Sequence, residues 1–269
     1  MWTLSFSRGL QACMFVLAFA GTLPAGAGEV LDRVLASGLL RVCIWSDYYG
    51  MTYRKPMSDE LIGLDIDLSV QFARELGVRL RYVDSSGSAA PDDLRANACD
   101  IAMFGIAITP ERVSRMRFSI PYMQSDVYAV AHRGGRIVRK WEDIDQPGVL
   151  VAVQEGTFLE PVMAEKLKHA RVVGISPPAT REGELMAGRV DVFMTNFTYG
   201  RRLVSGSNWA RVINPPKPFY VRPYAYATAL GDLAWGERVD AFVAAVRTDG
   251  RLKAAATRYG LQSIMMAAP

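Results

Sequence analysis

Arg112 is the side chain in this sequence best placed to bind a charged ligand. It follows the apolar run 101–108, whose length and flanks predict a strand buried on both faces. Thr109 is then suited to cap a helix and Pro110 to be its first residue. A cation in the first turn opposes the helix dipole, so an arginine there makes better sense beside a bound anion. The stretch predicts an anion site, with a solvated surface arginine as the alternative.

Two further stretches place polar groups at the ends of predicted strands. Gly156-Thr157 lies between a predicted strand, 149–153, and a predicted helix reaching about residue 169. Thr157 and Glu160 have the spacing of a capping box, and such a turn also exposes N–H groups to an anion. Asn196 follows the predicted strand 190–195, at the edge where open α/β sheets place their ligand crevice.

Other polar residues do not form a convincing catalytic or metal site. Asp65 and Asp67 could be taken for a catalytic pair, but they open a predicted helix that ends at Gly77. Capping of that helix explains them better, so we assign them a structural role. His132 and His169 are far apart and lack metal-ligand spacing. No phosphate-loop or nucleophile-elbow motif is present. We therefore expect no metal and no cofactor.

The N-terminus has the pattern of a secretory signal peptide. Arg8 is the only charge before Glu29, the run 10–23 is apolar, and residues 25–27 form a small-x-small cleavage site. The apolar run is shorter than the roughly 20 residues that span a bilayer. Residues 1–27 are thus predicted to be removed, and the protein to be exported, into the periplasm of a Gram-negative host.

Composition sets further bounds on partners and on cysteine chemistry. The formal net charge of the 269 residues is +4, with both signs interspersed, so no nucleic-acid partner is indicated. Cys43 and Cys99 are the cysteines outside the predicted signal peptide. An oxidising compartment allows a disulfide between them. Each also lies in or beside an apolar run, so two buried free thiols are the competing interpretation.

Strands alternate with helices in two blocks joined by two crossings, which predicts an α/β protein of two lobes. The segments Asp-Ile-Ala-Met (100–103), Ile-Thr-Pro-Glu-Arg (108–112) and Phe-Ser-Ile-Pro-Tyr (118–122) together resemble family 3 of the bacterial extracellular solute-binding proteins, the polar amino-acid binding type. This resemblance covers nearly all of the chain after residue 27. It implies the type 2 periplasmic binding protein fold, with mostly parallel sheets, helices on both faces and two hinge crossings. Lobe 1 would comprise 28–128 and 223–269, and lobe 2 would comprise 129–222.

The resemblance also implies a set of ligand-binding positions between the lobes. Arg112 matches the family's carboxylate-binding arginine, and Tyr48 is the best match for an aromatic ring against the ligand. The complete predicted set is Arg112, Tyr48, Thr157, Asn196, Phe104, Ala107, Tyr53, Gly156 and Trp45.

Two positions depart from the family pattern. Ala107 stands where a serine or threonine hydroxyl is usual, and Asn196 stands where amino-acid binders carry an aspartate for the ligand's ammonium. An unpaired buried ammonium is costly. A carboxylate without an amine therefore competes with an amino acid as the ligand, unless Asp47 or Asp126 serves the ammonium instead.

The resemblance predicts a monomeric, non-enzymatic solute-binding protein that delivers an amino acid or organic acid to an ABC permease. Two alternatives stay open. Some segments, including 142–149, also resemble cyclohexadienyl dehydratases, although the catalytic glutamate and lysine of those enzymes align here with Tyr199 and about Val127. The second alternative is a periplasmic sensor or an accessory module beside a quinoprotein dehydrogenase.

Overall fold

The computed structural model describes residues 1–2 and 28–267. The predicted signal peptide lies almost wholly outside the described residues. Among the helices that are described, none has both the length and the apolar character needed to cross a bilayer.

Helices and strands alternate along most of the chain. The helices are α1 (Glu29–Ser37), α2 (Leu64–Leu76), α3 (Ala90–Arg95), α4 (Pro110–Val113), α5 (Leu159–Lys166), α6 (Arg181–Met186), α7 (Phe197–Gly206), α8 (Leu233–Thr248) and α9 (Arg251–Tyr259). The strands are β1 (Leu39–Ile44), β2 (Asp47–Tyr48), β3 (Thr52–Arg54), β4 (Leu61–Ile62), β5 (Arg79–Asp84), β6 (Ile101–Ala107), β7 (Arg117–Phe118), β8 (Met123–Ser125), β9 (Val127–His132), β10 (Leu150–Gln154), β11 (Arg171–Ile175), β12 (Val192–Asn196), β13 (Ala210–Ile213) and β14 (Arg222–Thr228).

The first sheet has the strand order β5-β1-β6-β14-β7, with β8 also paired to β14. Strands β5, β1 and β6 are parallel, and every residue of β6 is buried, as its apolar run predicts. Helices α1, α2, α8 and α9 pack around this sheet. Trp235 of α8 is buried against it and donates its indole N–H to the Asp100 carbonyl at 2.7 Å. We call the first sheet and its helices the first lobe.

The second sheet has the order β11-β10-β12-β9-β13, and with its helices it forms the second lobe. Alternating residues of its strands enter two apolar clusters: Val151 and Val153 pack with α5, while Ala152 and Phe193 pack with α6 and α7. Helices therefore cover both faces, as predicted. In both lobes the strands that precede helices are parallel, whereas the crossing strands β9 and β14 pair antiparallel. The two-lobed α/β fold is confirmed, with a parallel centre in each mixed sheet.

Asp126 joins the two crossings between the lobes. The chain leaves the first sheet after β8, enters the second at β9, and returns between β13 and β14. The Asp126 carboxylate accepts backbone N–H bonds from Val127 (2.7 Å), Phe219 (2.9 Å) and Tyr220 (2.7 Å). Its oxygens therefore serve both crossings, and Asp126 is absent from the lining of the cavity between the lobes. The sheet membership supports the proposed division into a discontinuous first lobe and an inserted second lobe.

Cys43 and Cys99 form a disulfide, with a Cα–Cα distance of 5.6 Å. Cys43 lies on β1, and Cys99 comes just before β6, the strand beside it. Both residues are buried. The bridge, and not a pair of free thiols, is therefore the state of these cysteines in the structure.

The aromatic segment 47–53 forms a hairpin that pairs with β4 in a small antiparallel sheet. Gly63 holds this hairpin against α2. It has φ 141°, and a Cβ there would lie 2.1 Å from the Met51 carbonyl oxygen. The same carbonyl accepts the Asp65 N–H at 3.0 Å. The glycine of the Gly-Leu-Asp-Ile-Asp motif is thus required by a close backbone approach.

Asp65 lies in the first turn of α2, as predicted, but its carboxylate does not cap the helix. The side chain is fully buried and accepts hydrogen bonds from the hydroxyls of Tyr122 (2.7 Å) and Tyr226 (2.8 Å). Its role is structural because it links α2 to the first sheet. Burial raises the pKa of Asp65 from 3.8 to about 7, although the two tyrosine hydrogen bonds act in the opposite direction.

This shifted pKa predicts a pH-dependent stability. The folded protein holds the Asp65 proton more tightly than the unfolded chain, so its contribution to the free energy of unfolding is full below pH 3.8 and is lost as the pH rises to about 7. The full pKa shift of Asp65 corresponds to at most about 4 kcal/mol in the free energy of unfolding. We expect Asp65→Asn to remove this decline in urea unfolding measured across that range. Identical pH slopes for the two proteins would show that Asp65 does not titrate there.

Candidate functional site

A cavity of about 540 Å³ lies between the two lobes. Its walls come from the C-terminal ends of β1, β6, β10 and β12 and from the segments that follow them. This is the edge at which open α/β sheets bind ligands, and the volume is in the usual range for small-molecule sites. The strand ends that the sequence predicted as ligand-binding positions therefore line one cavity, with residues from both lobes.

Arg112 occupies the first-lobe wall of this cavity. Thr109 caps α4, as predicted, by accepting the Arg112 N–H at 3.3 Å. The guanidinium donates to the carbonyls of Ala107 (3.2 Å) and Gly87 (3.1 Å). These two bonds orient the group and leave other N–H donors for a ligand. Burial lowers the pKa of Arg112, and a bound anion would offset that desolvation.

Tyr48 and Asn196 meet across the cavity from opposite lobes. The Asn196 Nδ2 donates to the Tyr48 hydroxyl at 3.0 Å. Its Oδ1 accepts from the Thr198 hydroxyl (2.8 Å) and from the Tyr199 N–H (3.0 Å), so that Asn196 caps α7. Because an amide oxygen has two lone pairs, this Oδ1 has no acceptor capacity left for a ligand ammonium.

Most of the predicted ligand-binding residues line the cavity: Trp45, Tyr48, Phe104, Ala107, Arg112, Gly156, Thr157 and Asn196. Tyr53 does not. It pairs with Asp47 in the β2–β3 hairpin, and its hydroxyl accepts a hydrogen bond from Arg202 of α7 at 2.7 Å. The prediction of Tyr53 as a residue lining the site is therefore wrong, because the hairpin turns it towards the second lobe.

The predicted capping role of Thr157 is also wrong. Helix α5 begins at Leu159, and the Thr157 hydroxyl donates to the Gln154 carbonyl at 2.7 Å. Glu160 accepts the N–H of Gly156 at 3.2 Å, and not that of Thr157 as a capping box would require. The Gly156 N–H is consequently engaged by a side chain of the protein.

Glu155, Arg181 and Glu182, which the sequence did not indicate as site residues, also line the cavity. Asp47, expected as a possible partner for a ligand ammonium, lines it too. Arg181 lies over the rings of Tyr199 (4.8 Å) and Phe193 (5.1 Å) and donates to the Met194 carbonyl at 3.0 Å. Burial, reinforced by the charge of Glu182, raises the pKa of Tyr199. The signal that could have found Arg181 and Glu182 is their place at the start of a helix after a parallel strand. Within the described residues no cluster of three or more side chains suits a metal ion.

Arg202 fastens the second lobe to the hairpin of the first. Its guanidinium lies over the rings of Tyr49 (4.7 Å) and Tyr53 (4.4 Å) in addition to its bond to the Tyr53 hydroxyl. Such cation–π contacts stabilise by about 0.5–1 kcal/mol each at exposed sites. The contacts act only when the lobes are closed.

We therefore expect Arg202→Ala to weaken ligand binding about 5- to 30-fold by releasing the closed form. Calorimetry would measure the affinity, and solution scattering should show a larger radius of gyration. Arg189→Ala is a matched control, because this exposed arginine of the second lobe pairs only locally with Glu184. Equal affinities for both variants would mean that the Arg202 contacts do not stabilise closure.

The two sheets, the paired crossings and the cavity between them define a two-lobed binding protein of the kind found in the bacterial periplasm. The chain belongs to the bacterial extracellular solute-binding proteins, family 3, whose model matches residues 40–262.

Known relatives include both an enzyme and binding proteins. Cyclohexadienyl dehydratase of Pseudomonas aeruginosa is 31% identical over 252 residues, covering 93% of this chain and 92% of the enzyme. The L-cystine-binding protein TcyJ of Escherichia coli is 25% identical, covering 93% of this chain and 95% of its own. Among solved structures, the ancestral amino acid-binding protein AncCDT-1, a precursor of cyclohexadienyl dehydratase, has a TM-score of 0.77 at 27% identity, over 85% of this chain and 98% of that one.

Proposed function

We propose that this protein captures a small carboxylate-bearing ligand, an amino acid or an organic acid, between its two lobes. The observation that carries the proposal is the oriented Arg112 guanidinium in the wall of the interlobe cavity. An arginine and a carboxylate form a charge-assisted, commonly bidentate pair. The binding-protein relatives, among them a glutamine-binding protein of an ABC transporter in Bacillus subtilis, support the same role.

The proposal also includes the cellular location of the protein and the transporter that it serves. Residues 1–27 would direct export to the periplasm, where the monomeric protein would pass its ligand to an ABC permease of the inner membrane. The sequence pattern at the N-terminus and the family membership support this setting. Permease and ATPase genes beside the gene for this protein would add independent support.

A thermal-shift screen tests the proposed ligand class. Amino acids and organic acids that enter the cavity should raise the melting temperature, since a ligand that binds only the folded state stabilises it. Polyamines are the matched control, because they carry charge and chain length but no carboxylate. Stabilisation by polyamines and by no carboxylate would contradict the proposal.

A second candidate is a cyclohexadienyl dehydratase-like activity, favoured by the 31% identity to such an enzyme and by Glu182, a partly buried acid that lines the cavity. The reaction needs a general acid for loss of the ring hydroxyl. The position of the catalytic lysine corresponds to about Val127, which is wholly buried in the second lobe. Tyr199, at the position of the glutamate, has a raised pKa and is a poor acid. Glu182 is the remaining carboxyl beside it. Turnover of prephenate or arogenate, lost in Glu182→Gln, would establish the enzyme.

A further inference from the structure

Two carboxylates from different lobes line the same cavity. Asp47 belongs to the first-lobe hairpin, Glu182 begins α6 of the second lobe, and both line the cavity. We call them the acidic pair. Partial burial and the neighbouring Glu182 charge both raise the pKa of Asp47. Two like charges that approach when lobes close repel each other, and a cation between them would turn that repulsion into attraction.

One oxygen of the acidic pair lacks a partner. The Glu182 Oε1 is buried and accepts no hydrogen bond from any residue that the structure describes. A buried carboxylate oxygen without a donor is costly, so its position suits a ligand that brings the donor. This is an observation independent of the charge of the pair.

The arginines near the acidic pair are held by other contacts. The positive charge of Arg202 opposes the rise in the pKa of Asp47 without cancelling it. The Arg202 guanidinium itself donates to the Tyr53 hydroxyl and lies over two tyrosine rings. Arg181 donates to the Met194 carbonyl and lies over the rings of Phe193 and Tyr199. Both cations are thus held against aromatic surfaces, which leaves the carboxylates of the acidic pair to a ligand cation.

The Arg112 end of the cavity offers no carboxylate to a ligand. The ionisable groups that act on Arg112 are Glu111, Tyr224 and Tyr48. Glu111 is exposed and does not line this cavity. Asn196 has no free acceptor on its Oδ1. An ammonium adjacent to the Arg112-bound carboxylate would therefore be buried without an opposite charge, which is unfavourable.

The other acidic residue of the cavity wall, Glu155, is directed elsewhere. Its carboxylate lies against β11, where a Cβ on Gly174 would come within 2.7 Å of the Glu155 Oε1. The acidic pair is consequently the part of the cavity that favours a positive charge.

We propose that the cavity selects a carboxylate whose positive charge lies at its far end, an ω-amino or ω-guanidino carboxylate without an α-amino group. The carboxylate binds Arg112, and the distal cation bridges Asp47 and Glu182. This inference rests on the proposed capture of a carboxylate at Arg112 and specifies which carboxylates are preferred. It assigns Glu182 and Asp47 as specificity-determining residues. Because the bound ligand would contact both lobes, it would also stabilise the closed form.

Matched ligands test the two halves of this proposal by calorimetry. The probe ε-aminocaproate is lysine without its α-amino group, and caproate also lacks the distal amine. We expect ε-aminocaproate to bind about 10- to 100-fold more tightly than either caproate or lysine, as a charge-assisted hydrogen bond predicts. The pair δ-guanidinovalerate and arginine should show the same order. Caproate binding as tightly as ε-aminocaproate would overturn the distal cation site while leaving capture of carboxylates intact. Failure of all the carboxylates to bind would refute the proposed function as well.

Variants separate the two ends of the ligand. Glu182→Gln should weaken ε-aminocaproate about tenfold or more and leave caproate unchanged. Asp47→Asn, in the other lobe, should also weaken ε-aminocaproate binding and leave caproate binding unchanged. This second variant keeps the proposal testable if Glu182→Gln has a lowered melting temperature. Asn196→Asp should raise the affinity for lysine relative to ε-aminocaproate by supplying a charge near Arg112. Lysine binding more tightly than ε-aminocaproate to the unaltered protein, or equal loss of caproate and ε-aminocaproate in both acidic-pair variants, would contradict the assignment.

Discussion

Arg112→Ala is expected to reduce the affinity for carboxylate ligands by about 100-fold or more. Truncating one partner of a buried, hydrogen-bonded charge pair costs about 2–5 kcal/mol, much of it from the charge left without a partner. The fold should persist, because Arg112 contacts two backbone carbonyls at the cavity wall and takes no part in either core. Calorimetry with ε-aminocaproate, and with the carboxylate that gives the largest thermal shift, measures the loss.

A matched control for this variant is available in the same lobe. Arg95 of α3 is exposed, pairs with Asp92 at 2.8 Å and does not line the cavity. Arg95→Ala should leave the affinity unchanged, which excludes a general effect of removing one positive charge. An unchanged affinity in Arg112→Ala, with an unchanged melting temperature, would refute the proposed site.

Loss of the Cys43–Cys99 disulfide is expected to lower the free energy of unfolding by about 4 kcal/mol, because the bridge closes a long loop and restricts the unfolded chain. The sequence separation of the two cysteines is 56 residues. The bridge links β1 to the start of β6, so its loss loosens the strands from which Arg112 is positioned. Urea unfolding of the protein with and without a reductant measures the effect.

The double variant Cys43→Ala, Cys99→Ala provides the control for the reductant. It should match the reduced protein in stability and should not respond to reductant. Equal unfolding free energies for the oxidised and reduced protein would show that the bridge does not stabilise the fold. Ligand affinity should fall less than stability, since neither cysteine lines the cavity.

Local sequence patterns predicted the parts of the fold that depend on neighbouring residues. The apolar run before Thr109 predicted the wholly buried strand β6, and Thr109-Pro110 predicted the start of α4. Both follow from backbone hydrogen bonding and burial within a few residues, so no distant contact is needed to infer them. The same reasoning, together with the family resemblance, predicted that Arg112 lies at the ligand site, and Arg112 lines the cavity.

Where the sequence analysis was wrong, the error concerned contacts between distant residues. Tyr53 was expected beside the ligand, but Arg202 of the other lobe binds it instead. Asp65 was expected to act on its own helix, yet its carboxylate serves Tyr122 and Tyr226, which come from two other strands or their ends. Side-chain partners of this kind depend on how separate elements pack, and that information is not in the local pattern.

The sequence by itself determined the α/β architecture, the alternation of strands and helices, and the position of an arginine just after a parallel strand. Only the tertiary structure decided that Cys43 and Cys99 are bonded, that the Asn196 Oδ1 accepts two hydrogen bonds from its own helix, and that Asp47 and Glu182 line the same cavity. The physical reason is that secondary structure follows from short-range periodicity and capping, whereas a binding site arises where closure of two lobes brings together residues far apart in the chain.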